Sequence, residues 1–462
     1  MKLSKKWLIL PMALLVACSS DDSSPVSTGD SANSQGDPTS SPSGDDNGGN
    51  GGDNGGTVTV SLPSTANPAI PEAQYPIWKS LWVVSMKQEV AGGSTLDYTA
   101  FANYPDAMRV WWDNGDDKCE VTGMTKLDGN DFTTWMRIHT GCSVSEGIGY
   151  GMLIALFNGD RTTFNGLWDY NRGARALAPG NNKGLMPWQL VSFRRTLSTS
   201  AALDADLDIA SSLILASYIW GDQAYLEDAK IIINDIYDRG INPENYLIYP
   251  APNWKTKNVY NMSYFSPVAF RLFAMVDGAH PWNDVLNANY EYMKKVQDAG
   301  ATQAIFPDWS NAAGEPADPL NNTATETYVM YFKESVRIPW RIAWDYYWYA
   351  DERAGNILKK LGDFVAQKSG NDPANYPKVA YNYSTGAEAS DCSFCGTTGE
   401  HYLGAACLSG FGVNTAWTDA CTSYFNSFAM STTAGYNGTY FKQILQMMYS
   451  SLLNGKFVKP NF

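Results

Sequence analysis

Helical rather than alternating apolar periods run through most of this 462-residue chain, and tight turns cut them at short intervals. Helix starts are expected near Pro71, Ser145, Thr162, Leu203, Gln223, Met262, Pro281, Glu334, Glu352, His401, Thr415 and Tyr436. Asn158-Gly159-Asp160, Trp220-Gly221-Asp222, Val276-Asp277-Gly278 and Ala350-Asp351 read as turns between partners. The recurring unit is a long helix, a tight turn, a second long helix and a longer connection. Twelve helices in six such hairpins predict an all-α closed toroid, an (α/α)6 barrel with inner helices alternating with outer ones. The longer connections, 173–202, 239–261 and 301–333, carry Trp, Tyr, Pro and Asp. They are expected to supply loops or short strands around a cleft at one end.

The N-terminus reads as an export signal. Lys2, Lys5 and Lys6 precede the apolar run Trp7 to Val16, and Leu15-Val16-Ala17-Cys18 resembles a bacterial lipobox. The run is too short to span a bilayer. Residues 1–17 are therefore expected to be a lipoprotein signal peptide and Cys18 the lipidated residue. Residues 18–57 are Ser, Gly, Asp, Asn and Pro with almost no apolar side chain, the composition of a tether that cannot bury enough surface to fold. The acidic Ser19-Ser20-Asp21-Asp22 resembles surface-export tags of bacterial lipoproteins, so the expected location is the outer membrane at the cell surface. With no second low-complexity break, residues 58–462 read as one large domain.

A net charge of −14 argues against nucleic acid or an anionic membrane surface as partner, leaving the lipid anchor as the membrane contact. Aromatics make up 13% of the chain, with 16 Trp and 27 Tyr, an excess that suits stacking on the C–H faces of sugar rings. Beyond Cys18 stand Cys119, Cys142, Cys392, Cys395, Cys407 and Cys421, an even number that reads as disulfides in an exported protein. Cys119 with Cys142 is the natural N-terminal pair, and the other four allow three pairings. Cys392-x2-Cys395-x5-His401-x5-Cys407 also has the look of a zinc knuckle, against which oxidation competes outside the cytoplasm.

Three acidic motifs stand out. Ser145-Glu146-Gly147-Ile148-Gly149-Tyr150-Gly151 sets a carboxylate at the start of an apolar helix, with Ser145 as its cap and glycines that open the backbone to a large ligand. In Leu203-Asp204-Ala205-Asp206-Leu207-Asp208-Ile209-Ala210, Asp204 and Asp208 share a helix face while Asp206 points elsewhere. A calcium loop fails there, because Ile209 and Leu215 stand where Gly and Glu are needed. In Lys333-Glu334-Ser335-Val336-Arg337-Ile338-Pro339-Trp340-Arg341, Glu334 and Arg337 are spaced to pair. Between them Gly184-Leu185-Met186-Pro187-Trp188, Asn253-Trp254, Ser263-Tyr264-Phe265-Ser266-Pro267 and Pro307-Asp308-Trp309 each set an aromatic beside a turn.

Taken in order from about residue 75 to the C-terminus, these segments and the closing Tyr436-Asn437-Gly438 helix resemble glycoside hydrolase family 8. The resemblance implies an (α/α)6 barrel and inverting, endo-acting hydrolysis of β-1,4-linked polysaccharide, cellulose-type β-glucan first, with xylan or chitosan as alternatives. Carried over, Glu146 matches the general acid and Asp204 the acid that holds the sugar at the cleavage point. Glu334 falls where many members have an Asp general base. Trp188, Trp254, Arg337 and Tyr436 are the expected substrate-binding residues. Two positions depart from the family. Leu203 stands where Ser or Thr is usual, and Glu334 is one methylene longer than Asp, moving its carboxylate by about 1.3 Å. An acid in the 308–326 loop (Asp308, Glu315, Asp318 or Glu326) is the alternative base.

The chemistry is consistent with two carboxyl groups in different states, one protonated and one ionised, roughly 6.5–9.5 Å apart with a water between base and sugar. Asp204 would raise the pKa of Glu146 by like-charge repulsion, and Arg337 would favour ionised Glu334. No metal or organic cofactor is required, and a monomer is expected. The reading from a different class is a non-catalytic glycan-binding lipoprotein on the same scaffold.

Overall fold

The computed structural model describes residues 59–91, 98–113, 141–177, 184–319, 326–377, 379–389, 400–433 and 439–462. The expected signal peptide, Cys18 and linker lie outside the described residues, as do Cys119, Cys392, Cys395 and Tyr436. The helices are α1 (Ala69–Trp82), α2 (Met86–Ala91), α3 (Ser145–Phe157), α4 (Arg161–Ala176), α5 (Leu203–Trp220), α6 (Gln223–Gly240), α7 (Pro267–Val276), α8 (Trp282–Ala299), α9 (Ile338–Tyr349), α10 (Glu352–Lys368), α11 (Glu400–Ser409), α12 (Thr415–Asn426) and α13 (Thr439–Leu453).

Helices α3, α5, α7, α9, α11 and α13 form a closed ring, each packed on the next, with α13 returning to α3. Helices α4, α6, α8, α10 and α12 pack outside the inner helices they follow, and α1 covers α13, so the chain closes its own barrel from both ends. The fold is an (α/α)6 barrel. Every residue of α3 is buried, as an inner helix apolar all round requires. Outer helix α10 instead buries a stripe of Ala354, Ile357, Leu358, Leu361 and Val365.

The turn signals become hairpins for a local reason. Asp160, Asp222 and Asp351 accept the backbone N–H of Thr163, Ala224 and Arg353, capping outer helices α4, α6 and α10. Gly221, at φ 69°, ends α5 in the left-handed conformation. Two expected starts shift. The segments at Met262 and Glu334 open as 3-10 turns (Met262–Tyr264 and Ser335–Arg337), and the α-helices begin at Pro267 and Ile338. Pro267 and Pro339 sit at first-turn positions, where the missing N–H costs nothing. Ser145 is not the cap it was expected to be. Val144 holds the N-cap position with no side-chain hydrogen bond, and among the described residues Ser145 Oγ has no partner.

Short antiparallel ribbons line the approach to the inner helices. β1 (Val83–Ser85) pairs with β2 (Met108–Val110). β3 (Cys142–Val144) pairs with β4 (Gln189–Val191), which pairs with β5 (Arg195–Thr196). β6 (Met330–Tyr331) pairs with β7 (Tyr381–Asn382). β3 runs directly into α3, extending the backbone through Val144, so Ser145 N–H donates to Trp188 C=O at 2.9 Å.

The other end of the barrel is plugged. Phe157, the last residue of α3, stacks on Phe457 at 4.1 Å, and Trp348 Nε1 donates to the Phe457 carbonyl at 2.8 Å. Residues 59–68 strap across this end. A Cβ on Gly412 would stand 2.5 Å from Val60 Cγ1, and one on Gly455 2.6 Å from Leu62 Cδ1. Ser64 N–H and Asn67 N–H donate to the side chains of Asp419 and Asn454, each at 2.8 Å.

Cys407 and Cys421 are disulfide-bonded and join α11 to α12, one of the pairings the sequence left open. Cys142 is disulfide-bonded as well, to a partner outside the described residues. The zinc-knuckle reading loses Cys407 to this bond. His401 is buried with Nδ1 unpartnered, and burial followed by the Lys442 charge pushes its pKa down to about 3.

A chain beginning at Thr59 should unfold at the same temperature as the full chain, whereas one beginning at Ala69 should unfold several degrees lower. Buried Val60 alone contributes roughly 1.5–3 kcal/mol. Thermal unfolding of the two shortened chains checks this, and equal midpoints would contradict it.

Candidate active site

The N-terminal ends of the inner helices meet at one mouth and carry the candidate acids there. Glu146 is the second residue of α3, Asp204 the second of α5, and Tyr440 the second of α13. Arg337 immediately precedes α9, with Glu334 three residues before it. Tyr264 stands on the 3-10 turn before α7.

Arg337 joins the acids. Its Nη1 donates to Glu146 Oε2 and to Asp204 Oδ2, each at 2.9 Å, and its Nη2 donates to Glu334 Oε2. The guanidinium is 1% exposed and faces the Tyr264 ring at 5.7 Å. A rigid planar fork suits this task, because its donors hold several carboxylates in fixed relative positions. Deeper in the barrel, Arg341 donates to Asp208 through both ends of its own fork, at 2.7 and 2.9 Å, tying α9 to α5. Asp206 points away from both, as expected, and accepts Met186 N–H at 3.0 Å.

Glu146 Oε1 accepts a hydrogen bond from Tyr440 OH at 3.1 Å. Burial is the strongest influence on this carboxyl and pushes its pKa to about 7. Arg337 pulls it down, while the charges on Asp204 and Glu334 push it up. The like-charge repulsion expected from the sequence is present, but burial outranks it. Glu334 Oε2 also accepts from Asn261 Nδ2 at 2.7 Å. Ser263 holds that amide in place, its N–H and Oγ–H donating to Asn261 Oδ1 at 3.0 and 2.7 Å. Among the described residues Asp204 Oδ1 has no hydrogen-bond partner, a lone acceptor that a ligand hydroxyl can satisfy.

A pocket at the mouth is lined by Glu146, Asp204, Trp112, Trp188, Tyr264 and Tyr440 among others. Trp188 stands where a stacking residue is expected. Trp254 does not: it has no exposed surface and lies between the Trp309 ring at 5.4 Å and Lys257 Nζ at 4.2 Å. Trp309, its tilted neighbour, is partly exposed. The glycine reading is corrected too. A Cβ on Gly147 would stand 2.9 Å from Tyr440 OH, and one on Gly149 3.0 Å from Ala205 O, so both glycines admit protein rather than ligand. Among the loop acids, Asp308 turns into the backbone of the 332–335 turn, Glu315 bonds Asn311 at 3.1 Å, and the Glu326 side chain lies outside the described residues.

Sequence reading did not single out Tyr440, Asn261 or Trp112. The expected start at Tyr436 hid Tyr440: with the helix beginning at Thr439, Tyr440 holds the position that Glu146 and Asp204 hold in their helices.

Barrel and mouth together define an (α/α)6 protein with a carboxylate-lined, aromatic-walled cleft. The family model described as glycosyl hydrolases family 8 matches residues 138–450. The chain belongs to that family. It is 31% identical over 325 residues to endoglucanase 2 of Ruminiclostridium josui and 30% identical over 325 residues to endoglucanase C of Ruminiclostridium cellulolyticum. Each match covers 69% of this chain and 64% of the relative, so the chain spans under two thirds of their length. A β-1,3-1,4-glucanase structure from Paenibacillus sp. X4 superposes with a TM-score of 0.65 at 22% identity, covering 87% of this chain and 96% of that one, and shares the fold.

Arg337→Met should strip three buried carboxylates of their common counter-charge, at a cost of about 3–5 kcal/mol. Glu146 is already raised to about 7 against the pull of Arg337, and losing the cation raises it further, so the added deficit is small at acid pH and grows as pH rises through that value. Denaturant unfolding at pH 5 and pH 8 should show the larger deficit at pH 8. Equal deficits would contradict the bridging role.

Proposed function

We propose that the protein is an endo-acting hydrolase of β-1,4-linked polysaccharide, with cellulose-type β-glucan as substrate, working by inversion of the anomeric centre. The observation that carries this reading is a buried carboxyl, Glu146, held near pKa 7 and sharing one guanidinium with a second acid, Glu334. Glu146 gives its proton to the glycosidic oxygen as the C–O bond breaks. Glu334 takes a proton from the water whose oxygen attacks the anomeric carbon from the opposite face. Its Oε1, which accepts no hydrogen bond among the described residues, is the oxygen that receives it. Asp204 accepts a hydroxyl of the sugar at the cleavage point, and Trp188 offers a stacking face. Afterwards Glu146 is ionised and Glu334 protonated, and exchange with solvent restores both.

The relatives at 28–31% identity are named endoglucanases and a β-glucanase, while two at 24% are named xylose-releasing exo-oligoxylanases, and the balance favours glucan. Reducing-sugar release from carboxymethylcellulose, lichenan, xylan and chitosan tests this. Binding without turnover on all four would leave a non-catalytic glycan-binding protein. The leader sequence supports a surface lipoprotein tethered through Cys18, and membrane retention of a Cys18→Ser chain would count against that.

The working form of Glu146 is the protonated one. It is fully present well below pH 7 and disappears as pH rises through that value, so kcat/KM should fall on the alkaline side with a midpoint about 7. A flat profile to pH 9 would exclude Glu146 as the acid. Glu146→Gln should slow natural glycosides by roughly 10²–10⁴-fold, with partial recovery on substrates whose leaving groups need no proton. Glu334→Gln should not recover on such substrates. Azide should restore it instead, giving the inverted glycosyl azide, and near-normal turnover of this variant would move the base elsewhere.

A further inference from the structure

Asp308 is a buried acid that the catalytic scheme above leaves unused. It lies on the connection between α8 and β6, 4% exposed. Its Oδ1 accepts from Phe332 N–H at 3.0 Å, Glu334 N–H at 3.2 Å, Ser335 N–H at 2.9 Å and Ser335 Oγ–H at 2.7 Å. Phe332 N–H also reaches Ser335 Oγ at 3.0 Å, which closes the turn on itself. Behind the carboxylate, Asp308 N–H donates to Met330 C=O at 2.8 Å and Trp309 N–H to Tyr328 C=O at 3.2 Å. The acid is therefore laced to β6 by its backbone and to the turn carrying Glu334 by its side chain. Among the described residues Asp308 makes no bond with Arg337, the group that joins the three site acids.

We propose that Asp308 is a positioning residue that sets how far Glu334 reaches into the cleft, by clamping the backbone of residues 332–335. The inference rests on Glu334 being the base. A Glu in place of the usual Asp carries its carboxylate about 1.3 Å further from the backbone, so the backbone must be held where the longer side chain meets its water correctly. Two devices share the task. Asp308 holds the main chain of the turn, and Asn261 with Arg337 holds the carboxylate at the far end. Burial, then the nearby charge on Glu334, pushes the Asp308 carboxyl to about 7. The clamp needs only the lone pairs of Oδ1, which an amide oxygen also supplies. Asparagine should therefore replace aspartate here, where it cannot replace a base.

The test is kcat and KM on a soluble β-glucan for Asp308→Asn, Asp308→Ala and Ser335→Ala, each with and without azide, beside Glu334→Gln. Asp308→Ala should lose about 10²-fold in kcat, the scale of a misplaced reacting group, with KM close to that of the parent. Asp308→Asn should keep most of kcat, and azide should accelerate neither. Ser335→Ala removes one of the four donors and should lower kcat by less, again at constant KM. If Asp308→Ala fails to fold, the contrast between Asp308→Asn and Ser335→Ala still decides. Parental kcat in Asp308→Ala, or in Ser335→Ala when that contrast decides, overturns the positioning role. An inactive, azide-rescued Glu334→Gln would leave the base assignment standing. Asp308→Asn as slow as Asp308→Ala also overturns the positioning role. If azide then rescues Asp308→Asn while Glu334→Gln stays active, Asp308 is the base and the reading of Glu334 fails with it.

Discussion

The guanidinium of Arg337 is the interaction on which the mouth depends. Three carboxylates gathered in a buried space repel one another and lose hydration, and neither cost is tolerable without a counter-charge. One fork touching all three turns that repulsion into a fixed arrangement. It also leaves the acids inequivalent. Glu146 is pushed up by burial despite the cation, while Glu334 takes two donors, from Asn261 and Arg337, on a single oxygen.

The two ends of the barrel are built differently. The mouth gathers the N-termini of inner helices, whose partial positive charge favours carboxylates. The far end is closed by Phe157, Trp348 and Phe457 and by the strap of residues 59–68. Between them the Asp208–Arg341 pair spans α5 and α9, so strain at the mouth is resisted by a second buried ion pair one helical turn deeper. The glycines of α3 serve the same architecture. They let α5 and Tyr440 approach closely enough for Tyr440 OH to reach Glu146.

Most of the architecture was legible before any coordinates. Inner helices are apolar all round, outer helices carry a stripe, and Asp160, Asp222 and Asp351 cap the helices they precede, so period and punctuation reveal the hairpins. The starts at Met262 and Glu334 were blurred because a 3-10 turn and an α-helix share nearly the same apolar spacing over so few residues. Ser145 misled because a strand leads straight into α3 and puts Val144 at the N-cap position.

At the site, the sequence by itself marked Glu146 and Asp204 at helix starts, and the i,i+3 spacing of Glu334 and Arg337 announced their pairing. Only the tertiary structure decided that the same arginine also holds Glu146 and Asp204, 191 and 133 residues away. It decided likewise that Tyr440 and Asn261 complete the site, that Trp254 is buried beside Trp309, and that Asp308 grips the turn of Glu334. The reason is physical. Local spacing reports neighbours within a helical turn, whereas closing a ring of six helices brings distant helix starts within hydrogen-bonding reach.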